Sequence, residues 1–256
     1  MQSQLLCFLE KEKQVNKMES IEELKKPNLK SKPLIQSFSG SGAIGTIIST
    51  FMIKALKMEQ IAVVRSKSIP PVAIIKDGKI EHPIRIFESE ELALMSCEIP
   101  ISYGNTQNFL RMLVNYYMKK GVSYIVPVGG LPVMKDPANN ARCFAITSNE
   151  EMISFLDKKR VPILEEGIVY GTAVETLEVC DSKGFKNCFS LLAECDPSIA
   201  SYVSAKKILL ELSKIFGFYF DEKQFDDVSS IIQQRIDEST RVVLEEAMDK
   251  TRESHL

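Results

Sequence analysis

The order of apolar and polar positions predicts strands that alternate with helices along most of the chain. The apolar run PLIQSF, residues 33–38, predicts a strand. The next segment, AIGTIISTFMIKALKM, has apolar residues every three or four positions, as on one face of a helix. Further strands are predicted in the segments IAVVRS, ELALMSCEIP, VSYIVPVGG, RCFAITS, EEGIVYGTA and NCFSLLAEC.

The ends of the later helices are also marked in the sequence. Asn105 or Thr106 can cap a helix in NFLRMLVNYYMKK, and Gly121 follows it as a C-terminal stop. Ser148 is predicted to cap the helix NEEMISFLDKK. The segment ASYVSAKKILLELSKIFG, after the last predicted strand, is an amphipathic helix.

One turn breaks this alternation. Lys76-Asp77-Gly78-Lys79 lies between two apolar runs, and Asp-Gly supplies the positive φ angles of a type I′ hairpin turn. The order of elements from residue 33 onward therefore predicts a three-layer α/β domain. Its sheet is mostly parallel and carries this inserted antiparallel hairpin.

The two ends of the chain have a different pattern from the middle. We expect residues 1–19 to be a flexible N-terminal extension, with Met18 rather than Met1 as the functional start. Residues 20–220 would form the α/β domain, and residues 221–256 a C-terminal helical extension. A stripe with spacings of three, four and seven suggests that this helix binds a partner or a second subunit: Phe225, Val228, Ile232, Ile236, Val243 and Ala247.

Composition and charge exclude several classes of function. The formal net charge is −2, so no basic field favours nucleic acid. No stretch has the 18 or more continuous apolar residues of a membrane span. Six cysteines without a C-x-x-C pair, and only two histidines, predict neither a metal site nor disulfides. We expect a cytoplasmic protein with buried, reduced thiols, no cofactor and no metal.

The segment SFSGSGAIG raises the possibility of a nucleotide site. Gly40, Gly42 and Gly45 have the spacing G-x-G-x-x-G, and Ser41 lies between the first two. A helix N-terminus at this position could bind phosphate, and Arg65 at the end of the next predicted strand would suit a 2′-phosphate. No acid ends that strand, as NAD binding would require. The alternative is a tight turn in which glycines permit close packing of helix and strand.

A polar candidate also lies at the end of a late strand. Glu194 ends FSLLAE, and ligands of open α/β sheets collect outside the carboxyl ends of strands. The alternative role is an acid that braces a loop or caps a helix. Ser39 and Ser41 lack a nearby activating base in the sequence. The chain has two histidines, His82 after the predicted hairpin turn and His255 near the C-terminus, and neither is expected to complete a catalytic triad. The sequence therefore predicts no catalytic residues.

Several short motifs occur together in an order typical of one family. They are the segments SFSGSGAIG, SIPPVAIIKDGKI, VPVGGLP, GIVYGTA and FSLLAECDPS, the last followed by a long helix. Over about residues 20–220 this order resembles the PAC2 family of proteasome assembly chaperone 2 and its archaeal relatives. The resemblance implies a fold akin to nucleoside phosphorylases, a helical C-terminal part, a homo-oligomer, and binding of proteasome α-subunits without chemistry.

Two features depart from that family pattern. Relatives that dock on the proteasome are thought to use a C-terminal hydrophobic-Tyr-any motif, whereas this chain ends Ser254-His255-Leu256. The family often has a Thr-Pro-Gly-Tyr loop where this chain has Cys195-Asp196-Pro197. The leading hypothesis is a protein-binding, non-enzymatic oligomer. The alternatives are a nucleotide- or dinucleotide-binding enzyme that uses the loop, and a phosphorylase-like small-molecule binder with Glu194 in its pocket.

Overall fold

The computed structural model describes residues 19–66, 72–76, 78–101, 106–134, 137 and 140–227. The strands in this part of the chain are β1 Glu19–Glu23, β2 Pro33–Phe38, β3 Glu59–Ser66, β4 Ile74–Lys76, β5 Lys79–Glu81, β6 Ile84–Glu88, β7 Ala93–Cys97, β8 Tyr124–Pro132, β9 Cys143–Ile146 and β10 Ser190–Cys195. The helices are α1 Ile44–Ala55, α2 Thr106–Lys120, α3 Glu150–Lys158, α4 Thr172–Ser182 and α5 Tyr202–Phe216.

Eight of these strands form one mixed sheet in the order β1-β3-β6-β7-β2-β8-β10-β9. The four strands β7, β2, β8 and β10 are parallel to one another. Antiparallel pairs extend this block on both sides, with β6, β3 and β1 on one side and β9 on the other. The carboxyl ends of the four parallel strands therefore meet at one edge of the sheet.

Helices cover both faces of this sheet, so the three-layer α/β prediction is confirmed in outline. On one face, α2 packs its apolar side against β2, where the rings of Phe38 and Phe109 lie 6.5 Å apart. On the opposite face, Ser37 Oγ of β2 donates a 2.6 Å hydrogen bond to the carbonyl of Gly45 in α1. The ring of Phe155 in α3 stacks on Tyr124 of β8.

The inserted hairpin is present as predicted. Strands β4 and β5 pair antiparallel as a separate two-stranded sheet, with Ile75 opposite Ile80. Gly78 in its turn has φ +73°, which only glycine adopts readily. Both isoleucines are more than half exposed. The hairpin is thus an addition to the large sheet rather than part of it.

Two local predictions are wrong, and one strand was missed. The segment around GIVYGTA, predicted as a strand entering a helix, has no strand between Glu165 and Gly171. Helix α3 is capped by Asn149 instead of Ser148, because the Asn149 side chain accepts hydrogen bonds from the amides of Glu151 and Met152. Strand β1 was not predicted, since its sequence ESIEE is acidic and lacks the apolar run of a buried strand.

The chain divides into two compact units after Tyr219. Of the second unit, the structure describes residues 220–227, which are helical from 222 to 227. The predicted N-terminal extension before Glu19, the start at Met18, the rest of the C-terminal helix and the terminal Ser254-His255-Leu256 lie outside the described residues. No helix in the described part of the chain is long and apolar enough to cross a membrane.

Candidate functional site

The glycine-rich segment forms a tight connection between β2 and α1. Residues Ser41–Ala43 make a single 3-10 turn, in which Gly42 has φ +66° and Ala43 has φ +50°. The amide of Ser201 donates a 2.8 Å hydrogen bond to the Gly42 carbonyl, which ties this turn to the start of α5. The turn is therefore fixed to the residue before α5 through backbone atoms.

Two of its glycines are required by close packing. A Cβ atom on Gly45 would lie 2.1 Å from the Phe38 carbonyl oxygen, so no side chain fits between α1 and β2. A Cβ on Gly42 would lie 3.1 Å from both Cβ and Sγ of Cys195 in β10. Gly40 differs, since a Cβ there would have open space within 4 Å. The geometry of Gly42 and Gly45 is that of a packed turn.

A cavity of about 230 Å³ lies at the carboxyl ends of the parallel strands, and we call it the carboxyl-end cavity. Gly40 and Ser41 line it from the glycine-rich turn. The other described lining residues come from the ends of β2, β7, β8 and β10 and from the start of α4: Phe38, Ser39, Pro100, Ile101, Val128, Gly129, Gly130, Leu131, Pro132, Ile168, Val169, Tyr170, Gly171, Thr172, Ala173 and Leu192. Its described walls are thus apolar side chains, hydroxyls and glycine backbone.

Large apolar side chains stand exposed around the mouth of this cavity. Ile168 and Tyr170 line it and are 92% and 70% exposed. We call Ile168 and Tyr170 the apolar rim. Clustered exposed apolar side chains of this kind are typical of interaction surfaces.

Arg65 does not lie at the glycine-rich turn. Strand β3, which carries it, is separated from β2 by β6 and β7, a distance of about 14 Å between strand axes. Its guanidinium donates to Glu22 Oε2 at 2.9 Å and 3.0 Å, and Arg65 lines a different cavity together with His82. Because β3 pairs antiparallel with β1 and β6, residues 33–66 do not form the parallel β-α-β unit of a dinucleotide fold.

Glu194 makes an ion pair at the edge of the sheet. Its carboxylate accepts hydrogen bonds from the backbone amide of Arg142 at 3.1 Å and from the Arg142 guanidinium. These hydrogen bonds, first of all that from the Arg142 side chain, lower the pKa of Glu194 despite its burial. Glu194 is not part of the described lining of the carboxyl-end cavity. Its contacts are those of an acid that braces the loop before β9.

The thiol next to the turn is buried and protonated at neutral pH. Burial, and to a smaller degree the nearby Asp196, raise the pKa of Cys195 to about 11. All five cysteines in the described part of the chain are buried free thiols, as the sequence predicted. Reactive cysteines instead have lowered pKa values and partial exposure. Cys195 therefore acts here as a small packing residue beneath Gly42 and Gly130.

Of the six candidate residues, the structure brings two to the cavity. Gly40 and Ser41 line it, Gly42 and Gly45 serve packing, and Arg65 and Glu194 lie in other surroundings. Sequence reasoning did not assign the segments VGGLP and IVYGTA to a site, although Gly129 and Gly130 lie near the carboxyl end of β8 and Gly171 precedes α4. The glycine pair was the signal that could have identified the wall formed by β8.

The model of the PAC2 family matches residues 34–240, most of the chain. The chain belongs to the PAC2 family. This PAC2 protein also matches the protein MJ0106 of Methanocaldococcus jannaschii, with 24% identity over 87% of this chain and 90% of that protein.

Solved structures share the fold of this PAC2 protein. Pyrococcus furiosus PbaA, described as an archaeal homolog of proteasome-assembly chaperone, superposes with a TM-score of 0.73 and 22% identity over 92% of this chain and 99% of its own. Pyrococcus furiosus PbaB, described as an archaeal proteasome activator, superposes with a TM-score of 0.72 and 18% identity over 88% and 99%. At these identities the likeness shows the fold.

Proposed function

We propose that this PAC2 protein is a non-enzymatic, oligomeric binding protein that engages proteasome α-subunits during assembly. The observation that carries the proposal is the match to PbaA, which extends over 92% of this chain and 99% of that chain. Because the two chains share their fold over nearly their whole length, this chain can present the same kind of surface for binding a protein. A role in proteasome assembly also fits a cytoplasmic location, which is part of the proposal.

The apolar rim supports a protein partner. Ile168 and Tyr170 expose most of their apolar surface beside a cavity whose described walls carry no charged side chain. Large apolar and aromatic side chains at the centre of an interface provide most of its binding free energy. A partner that covers these side chains would remove their apolar surface from contact with water. The burial of apolar surface is the main favourable contribution to the free energy of association.

The test is direct capture of a named partner. Immobilised protein is incubated with purified proteasome α-subunits encoded by the same genome, and bound subunits are quantified after washing in 0.15 M salt. We expect stoichiometric retention, and light scattering of the free protein should give a mass above that of one 28.8 kDa chain. Absence of retention at micromolar concentrations would contradict the proposed partner.

The finer points of the sequence hypotheses also remain proposals. Kinship to nucleoside phosphorylases and a division of the chain into residues 1–19, 20–220 and 221–256 are part of the proposal. So is ligand binding within the set of candidate residues Gly40, Ser41, Gly42, Gly45, Arg65 and Glu194. Among these residues, Gly40 and Ser41 have the placement to contact a bound group, because they line the carboxyl-end cavity.

A further inference from the structure

We propose that the carboxyl-end cavity binds one large uncharged side chain, aromatic or leucine, that a protein partner presents, while the apolar rim contacts the residues on either side of it. The inference rests on the proposed protein-binding function and specifies which surface and which partner chemistry serve it. Three properties of the cavity support it: its size, the chemistry of its walls and the exposure of its rim.

The size of the cavity fits a side chain better than a whole ligand. Pockets for drug-sized ligands and cofactors usually measure about 300–1,000 Å³. An apolar cavity of about 150 Å³ already binds a benzene ring. The carboxyl-end cavity, at about 230 Å³, has room for one phenyl or isobutyl group and the backbone that carries it.

The walls favour an uncharged group. Among the described lining residues there is no Asp, Glu, Lys, Arg or His. A charged side chain that entered would lose its hydration without gaining a partner of opposite charge, which is strongly unfavourable. Phe38, Val128 and Leu192 instead offer apolar contacts in the lining. Ser41 and Thr172 add hydroxyl-bearing side chains to it, which can hydrogen-bond to the backbone of an incoming chain.

The rim argues for a protein rather than a free small molecule. A molecule small enough to enter the cavity would leave most of the exposed surface of Ile168 and Tyr170 in contact with water. Only an occupant that extends beyond the mouth can cover both of them. An anchor side chain in a pocket, surrounded by flanking apolar contacts, is the usual arrangement of an interface hot spot.

Gly129 provides a way to fill the cavity. It lines the cavity in β8, and a Cβ there would lie 3.7 Å from Leu192 Cδ2, an ordinary contact. The substitution Gly129→Leu should therefore occupy the space, whereas Gly129→Ala adds a single methyl group as the matched control. If Gly129→Leu does not fold, Gly40→Leu replaces it, because Gly40 lines the same cavity and has open space around its Cβ position.

The first arm measures binding to the cavity without any partner protein. N-acetyl-phenylalaninamide is titrated into the protein labelled at Ile, Leu and Val methyl groups. The α-amide of N-acetyl-aspartic acid, whose side-chain carboxylate is free, serves as the charged comparison probe. We expect saturable shifts of the Ile101, Val128 and Leu192 methyl signals with the phenylalanine probe, loss of these shifts in Gly129→Leu, and retention in Gly129→Ala. No shifts in the wild type, or equal shifts in Gly129→Leu, would overturn the inference.

The second arm repeats α-subunit capture with the same variants. We expect Gly129→Leu and Ile168→Ser to weaken binding at least about tenfold, as for loss of a hot-spot contact. Ile80→Ser, at another largely exposed apolar residue on the hairpin, should bind as the wild type does. Equal capture by wild type and Gly129→Leu would overturn the inference and leave the proposed function standing. Normal probe binding without any capture would contradict the α-subunit partner but support the cavity assignment.

Discussion

Gly45 shows how one missing side chain sets the distance between a helix and a strand. The Gly45 backbone lies so close to β2 that a Cβ would approach the Phe38 carbonyl oxygen to 2.1 Å. The same residue accepts the hydrogen bond from Ser37 that links the two elements. Packing at this point therefore depends on glycine rather than on an apolar contact.

We expect Gly45→Ala to reduce the free energy of unfolding by about 2–3 kcal/mol, because α1 must move away from β2 to admit the methyl group. Gly40→Ala is the matched control in the same turn. Its backbone is extended and has open space, so the change should stay within about 0.5 kcal/mol. Urea denaturation followed by circular dichroism measures both. Equal stability of the two variants would contradict the packing role of Gly45.

The ion pair of Glu194 and Arg142 should make stability depend on pH in the acidic range. The folded state lowers the pKa of Glu194 below its ordinary value of 4.5, chiefly through the hydrogen bond from Arg142. A carboxyl with a lowered pKa stabilises the folded state above the unfolded-state pKa, and this contribution is lost as pH falls through the folded-state value.

We therefore expect Glu194→Gln to be less stable than the wild type at pH 7, with the difference shrinking steadily below about pH 4.5. Denaturant unfolding at pH 7, 5 and 3 measures this difference. Glu151→Gln is the comparison variant, since the ion pair of Glu151 with Lys186 is long and exposed, and it should change stability little at pH 7. A difference for Glu194→Gln that stays constant across this range would refute the linkage.

At the scale of elements, the sheet separates a parallel centre from antiparallel edges. Strands β2, β7 and β10 have mostly buried residues on both faces, and β8 is buried from Ile125 to Val128, as parallel strands between helix layers require. Strands β1, β3 and β6 extend this centre by antiparallel pairing, and β4 and β5 project as a hairpin. The hairpin pairs with no strand of the large sheet, although Ile74 of β4 is partly buried against the core.

Replacing residues 67–81 with Asn-Gly should leave the large sheet intact. Val63 lies opposite Arg85, and continuing this register brings Ser66 opposite His82, so a two-residue turn can join β3 to β6 directly. We expect an unchanged far-UV spectrum and a loss of no more than about 2 kcal/mol, because buried Arg85 loses Glu81 but keeps Glu98 as an ion-pair partner.

Glu81→Gln is the control for that replacement, since it removes the same ion pair without removing the hairpin. Thermal unfolding of both variants, monitored by circular dichroism, separates the two contributions. If the shortened chain unfolds without a cooperative transition while Glu81→Gln remains stable, the hairpin would have to be counted as part of the core.

At the scale of the whole molecule, the strand order decides against a dinucleotide fold. Strand β3 follows α1 in the chain but lies three positions from β2 in the sheet. The turn between β2 and α1 is closed by packing against Gly130 and Cys195. With this strand order, the cavity is lined mainly by β8 and by the start of α4 and its preceding loop, and it does not lie between β2 and β3.

We expect 5 mM NAD, NADP or ATP, concentrations on the order of those used in thermal-shift screens, to leave the melting temperature unchanged. A ligand that bound the folded state with a dissociation constant of about 50 μM would stabilise it by about 2.7 kcal/mol at that concentration. Differential scanning fluorimetry with each nucleotide, and with sodium phosphate as control, gives the measurement. A clear nucleotide-specific rise would favour the enzyme alternative.

The sequence predicted elements where local pattern and burial agree. Strand β2 was predicted from its apolar run, and helix α1 from apolar residues spaced three to four positions apart. Strand β1 was missed because its sequence is mostly glutamate and has neither pattern. The loop before α4 was assigned to a strand because it contains apolar residues, but the fold leaves two of them, Ile168 and Tyr170, exposed.

By itself the sequence determined the α/β class, most strand and helix positions, the hairpin turn and the PAC2 family, since each depends on residues that are near in the chain or on the order of motifs along it. Only the tertiary structure decided where these segments meet. It placed β3 away from β2, paired Arg65 with Glu22, and joined the ends of four strands with the start of α4 around one cavity. Strand order and cavity shape arise from contacts between distant residues, which local periodicity does not encode.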